Sequence, residues 1–198
     1  MRKPYAIAGV LLIGALALTG CSGQDKLASS YSSNSGTGYT DETGAPVLIK
    51  PADRSAPRDF TSTTEDGTPF ALKDYRGKVV VVNFWYATCV PCRVEAPILQ
   101  SQYEKYQGEG VSFVGVNVAD QPDTAMAFEK RYGITYPSVM DVDKGTAAIA
   151  FAGSVSASAV PTTFVLDKQG RIAARISGQL QSQSILNTLI SDTQAEAK

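Results

Sequence analysis

Lys78-Val79-Val80-Val81-Val82-Asn83-Phe84-Trp85-Tyr86-Ala87-Thr88-Cys89-Val90-Pro91-Cys92 passes from an almost continuously apolar, β-branched run into two cysteines spaced by two residues. Residues 78–85 predict a strand covered on both faces, because a half-exposed strand would alternate apolar and polar side chains. A helix is predicted from about Cys89–Cys92 to Tyr106, kinked at Pro97 and closed by Gly108-Glu109-Gly110. Two cysteines at such a strand-to-helix junction form a redox geometry. The thiolate is the nucleophile, and at a helix N-terminus Cys89 meets unsatisfied N–H groups and the positive end of the dipole, which lower its pKa. Cys92, one turn on, is close enough to resolve a mixed disulfide. Pro91 constrains the turn and removes a donor that the first helical turn does not need. The same spacing also suits half a metal site or an inert structural disulfide.

Working outward, Phe60–Thr63 and Thr68–Leu72 flank Glu65-Asp66-Gly67 and predict a short hairpin. Downstream, Val111–Val118 reads as a second central strand and Pro122–Tyr132 as a helix opened by proline. Tyr136–Met140 predicts a short strand and Gly145–Phe151 a short Ala-rich helix. Thr162–Leu166 and Arg171–Ile176 predict a hairpin joined through Asp167-Lys168-Gln169-Gly170. Ser182–Ile190 predicts a closing helix with Ile185, Leu186, Leu189 and Ile190 on one face. Alternating strands and helices followed by a hairpin and a helix make an α/β fold with a central mixed sheet.

The N-terminus carries Arg2 and Lys3 and then an apolar stretch, Ala6–Leu18, of signal-peptide length. It is short for a membrane span. Leu18-Thr19-Gly20-Cys21 resembles a bacterial lipobox, which makes residues 1–20 a lipoprotein signal peptide and Cys21 the lipidated first residue of the mature chain. Two acyl chains suffice for stable anchoring; an ordinary secretory peptide with an incidental cysteine is the alternative. Residues 21–45, rich in Ser, Gly and Thr, cannot bury enough surface to fold alone and read as a tether, roughly 25–30 Å end to end as a coil. Residues 46–198 have the composition and length of one globular domain.

The chain has 198 residues, with 18 basic and 19 acidic side chains. Loss of Arg2 and Lys3 with the signal segment leaves 16 against 19, a net charge of −3. No basic cluster points to nucleic acid. With no histidine and only three cysteines, His-based triads, the usual zinc sets and four-cysteine zinc sites are excluded. No metal or cofactor is expected. If Cys21 carries lipid, Cys89 and Cys92 remain as a pair in an oxidising compartment, where pairs normally form disulfides.

Asn83-Phe84-Trp85, Cys89-Val90-Pro91-Cys92, Glu95-Ala96-Pro97 and Val160-Pro161-Thr162 together resemble the TlpA/ResA-type family of membrane-tethered thioredoxin-like proteins, over about Ser55–Ile190. The resemblance implies a thioredoxin fold with an N-terminal hairpin, an insertion after the second core strand, and disulfide exchange with proteins on the outer face of the membrane. It implies that Cys89 attacks and Cys92 resolves. It further implies that Val160-Pro161 is a cis peptide lying against the cysteines, leaving the backbone of Val160 free to pair with a substrate strand; a trans proline opening the next strand is the alternative. Val90 and Pro91, with Trp85 and Tyr86, would line the recognition surface, although Trp85 also suits a core role at the strand end.

Glu95 lies one helical turn beyond Cys92 and could exchange a proton with it; burial would raise its pKa toward neutrality. An acid favoured by the dipole in an early turn is the alternative. Two departures stand out. Asn83 occupies the place of the buried Asp of cytosolic thioredoxins, which shifts proton handling to Glu95 or water. Thr88 replaces the Trp that often precedes the first cysteine.

The leading expectation is a reductant of exported disulfide proteins, apocytochrome c among them, fed by an integral membrane thiol carrier. An oxidant or isomerase is the alternative within redox chemistry. A peroxiredoxin-like peroxidase would need Thr where Tyr86 stands, and a surface lipoprotein would use the cysteines only as a staple.

Overall fold

The computed structural model describes residues 45–154 and 159–196. The expected signal peptide, Cys21 and nearly all of the tether lie outside the described residues. Eight strands are described: β1 Pro46–Leu48, β2 Thr61–Thr63, β3 Pro69–Ala71, β4 Val79–Trp85, β5 Val111–Asn117, β6 Ser138–Met140, β7 Thr162–Leu166 and β8 Ile172–Ser177. The helices are α1 Val90–Tyr106, α2 Pro122–Tyr132, α3 Thr146–Ala150 and α4 Gln183–Ala195. Six strands form one sheet in the order β1-β8-β7-β4-β5-β6, and β2 and β3 pair separately. β4, β5 and β6 run parallel, whereas β7, β8 and β1 are antiparallel to their neighbours. This is the predicted α/β class with a mixed central sheet.

Every residue of β4 is buried, as its β-branched composition requires of a strand with both faces covered. Val80, Val82 and Phe84 face one core with Phe164, Phe60 and Phe70, under the β2–β3 hairpin and α3. Val79 and Val81 face the other, with Leu99 of α1 and Leu186, Leu189 and Ile190 of α4. Each such side chain contributes about 1.5–3 kcal/mol by leaving water. Among the described residues no helix is long and apolar enough to cross a membrane.

The differences from expectation lie at element ends. β1 was not predicted: three residues have no measurable periodicity, and the strand forms by pairing Pro46–Leu48 with Ala174–Ile176. Pro46 stands first on this edge strand, where its missing N–H costs nothing. The closing helix runs to Ala195 rather than Ile190, because Thr193 is buried and its hydroxyl donates to the Leu189 carbonyl at 2.7 Å. Tyr136 and Pro137 precede β6 rather than belonging to it.

Candidate redox site

α1 begins directly after Cys89, whose φ and ψ are extended and whose sulfur accepts a hydrogen bond from Cys92 N at 3.2 Å. The sulfur thus occupies the N-cap position, where a side-chain acceptor satisfies one of the helix's free N–H groups. Cys89 and Cys92 are joined in a disulfide with Cα atoms 5.3 Å apart. Both cysteines are buried, at 3% and 2% exposure. Their rim carries apolar side chains, Val90 at 66% and Val94 at 51% exposure and half-buried Tyr86, Pro91 and Val160, together with exposed Thr88 and Arg93. The Val160-Pro161 peptide is cis, as the resemblance implied, and Pro161 is buried.

The loop from β4 to the cysteines is held by residues that sequence reasoning passed over. Asp120 accepts from Ala87 N at 2.6 Å and from Asn117 Nδ2 at 2.8 Å, while Asn117 Oδ1 accepts from Asp120 N at 2.8 Å. Asn117 is fully buried at the end of β5. An Asn and an Asp three residues apart just after a strand are a local signature of such a clasp.

Glu95 is fully buried. One carboxylate oxygen accepts from Asn83 Nδ2 at 2.8 Å and the other from Leu180 N at 2.8 Å. Burial pushes its pKa up to about 7, against the lowering effect of those two donors. Asn83, on β4, also donates to Thr163 Oγ1 at 3.0 Å, so the amide orients the acid. The Leu180 contact, 85 residues away, left no trace in local sequence.

Trp85, read both as a site-lining residue beside Tyr86 and as a core residue at the strand end, takes the core position, with 5% exposure and its ring 4.5 Å from that of Phe128. Apolar area and the close approach of α2 place it beneath the cysteines, in a cluster with Cys89, Cys92, Ala96 and Ala125. A narrow recess bordered by Cys92, Trp85, Asn83, Glu129, Tyr136 and Ser138 lies against Cys92. Its free volume is about 10 Å³, about the room that one water needs. Glu129 of α2, missed at the sequence level, is 8% exposed. Burial and the neighbouring Glu65 charge raise its pKa to about 7, while Ser138 opposes the shift in part.

The AhpC/TSA family model matches residues 53–175. The thiol-disulfide oxidoreductase ResA of Geobacillus thermodenitrificans is 34% identical over 127 residues, covering 64% of this chain and 70% of that protein. The ResA of Bacillus subtilis is 31% identical over 126 residues, covering 64% and 68%. Among solved structures, a DsbF homologue from Corynebacterium diphtheriae superposes with a TM-score of 0.68 at 34% identity, over 80% of this chain and 99% of that one. A secreted thiol-disulfide isomerase from Corynebacterium glutamicum gives 0.70 at 33% identity, over 79% and 96%.

Proposed function

Since the chain belongs to the AhpC/TSA family and, within the thioredoxin fold, to the ResA-type thiol-disulfide oxidoreductases, we propose that it is the reducing member of a disulfide exchange outside the cytoplasm. Cys89 is the attacking thiolate and Cys92 the resolving thiol. In this reading a lipid on Cys21 tethers the domain to the outer face of the cell membrane. Electrons arrive from an integral membrane thiol carrier and leave to disulfides of exported proteins, apocytochrome c being one substrate class.

The observation that carries the redox reading is the Cys89 sulfur at the N-cap of α1, beside exposed Val90 and Val94. The helix terminus stabilises the attacking thiolate, and exposed Val90 and Val94 offer an unfolded chain apolar contacts beside the cysteines. The reducing direction is supported by what surrounds Cys92. A pair becomes a strong oxidant when its reduced form is stabilised, yet a buried acid, Glu129, borders the same space as Cys92, and a second, Glu95, lies one helical turn beyond it on α1. Where these acids are ionised, their charge disfavours a second thiolate and so favours giving electrons away. The isomerase alternative draws on the printed name of the C. glutamicum structure.

The test is a partner trap. Cys92→Ala in the full chain should accumulate mixed disulfides with exported thiol proteins, cytochrome precursors among them, seen as bands on non-reducing gels that collapse with dithiothreitol. Cys89→Ala should trap none. Trapping by Cys89→Ala alone would reverse the assigned roles, equal trapping would contradict a single attacking cysteine, and trapping by neither would leave the pair a structural staple.

A further inference from the structure

A buried carboxylate oxygen without a hydrogen-bond donor is costly, and it persists only where something compensates. Glu129 Oε1 and Ser138 Oγ make no hydrogen bond of ordinary length and angle among the described residues; the serine hydroxyl only partly offsets the burial of the acid. Both residues border the narrow recess against Cys92. Glu129 also stands in the last turn of α2, where the helix dipole disfavours an anion, and no basic side chain pairs with it among the described residues. Neither helix stability nor an ion pair explains the acid.

Glu95 does not border that space; Asn83, which holds its Oε1, does. Both Glu95 oxygens are taken by donors, whereas Glu129 keeps one open. We propose that Glu129 is a positioning acid that accepts the proton of Cys92 through a water in the shared space. This rests on the oxidoreductase reading above and assigns a second proton site within it.

In the resolving step the Cys92 thiol passes its proton through the water to the Glu129 carboxylate. The Cys92 sulfur pair attacks Cys89 Sγ, the bond between Cys89 and the target breaks, and the Cys89–Cys92 bond forms. The target leaves as a thiolate and takes a proton from solvent. Glu129 later returns its own proton to solvent, so the enzyme is oxidised to the disulfide and the target is reduced to two thiols.

Ser138 donates its backbone N–H to Glu65 Oε2 at 2.9 Å, and Glu65 lines an open groove with Thr61, Ser62, Gln121 and Met140. The groups facing Glu129 are Glu65 from the β2–β3 turn, Cys92 from α1, and Tyr136 before β6, whose phenol feels both Glu95 and Glu129. Burial and those two charges hold that phenol far above its ordinary pKa, so it stays neutral while the acids titrate.

The experiment uses the reduced full chain with Cys21→Ser, so that only the pair reacts, mixed with excess 5,5′-dithiobis(2-nitrobenzoate). The first thionitrobenzoate released reports attack by Cys89 and the second reports resolution by Cys92. The expected wild-type second-phase rate has an inflection near neutral pH. Glu129→Gln should lose that inflection and slow the second phase about tenfold or more at pH 7, with Glu129→Asp recovering part of both. A second-phase profile in Glu129→Gln that superposes on wild type overturns the proposal. So does an inflection that survives in Glu129→Gln but vanishes in Glu95→Gln. Carbon-13 titration of the wild-type Glu129 carboxyl, independent of any variant, should give different pKa values in the oxidised and reduced proteins; equal values overturn it. Absence of the first phase would instead defeat the oxidoreductase reading itself.

Discussion

Glu95 shows how one residue couples the site to stability. Its pKa is raised on folding from 4.5 to about 7, so between those values the folded chain keeps a proton that the unfolded chain has released. The folded state is therefore unpenalised below about 4.5, and stability is lost as pH rises to about 7. At about 1.4 kcal/mol per unit the loss approaches roughly 3 kcal/mol. Glu129 acts in the same direction. Glu95→Gln should be less stable at pH 5, because an amide N–H₂ cannot accept from Asn83 or Leu180. Its urea midpoint should nonetheless fall only about half as far as that of wild type between pH 5 and pH 8. An undiminished fall would place the titration elsewhere. Glu95 was legible from its spacing to Cys92, and so was the prospect of a raised pKa if buried. Its clamp was not, because Asn83 and Leu180 reach it from β4 and from beyond β8. Glu129 is legible only in hindsight, as an acid at the wrong end of its helix.

At the scale of elements, β4 and the start of α1 could be read directly, because four consecutive valines exclude a half-exposed strand and Cys89-Val90-Pro91-Cys92 punctuates its end. Trp85 could not be assigned. Its burial depends on Phe128 from α2 and on Gly115 in β5, where a Cβ would stand 2.7 Å from Trp85 Nε1 and closer still to Ser138 Oγ. Glycine there leaves room for the indole Nε1 and the serine hydroxyl. Gly115→Ala should therefore destabilise the fold by about 1–3 kcal/mol, the range for overpacking a core, and should alter Trp85 fluorescence, since the chain has one tryptophan. An unchanged denaturation midpoint and emission spectrum would show that the approach is looser than described. β1 and the last turn of α4 escaped prediction for the opposite reason: their signals lie in partner strands and in one buried threonine, not in their own periodicity.

For the whole molecule, the sheet brings three distant segments to one place: the cysteines at the β4–α1 junction, Val160-Pro161 before β7, and the α2 helix with Phe128 and Glu129. The first two were legible as motifs and the third was not, because an amphipathic helix announces its buried face but not which site it roofs. The proposed lipid tether on Cys21 would give this domain reach across the outer membrane surface while leaving the Val90 and Val94 rim free. The central claim is that the pair gives electrons to its targets, and the reduction potential tests it most directly. The full chain with Cys21→Ser, equilibrated in dithiothreitol and glutathione buffers and quantified by alkylation of Cys89 and Cys92, should show a potential below about −220 mV. A value near about −120 mV, the range of a strong oxidant, would contradict the account.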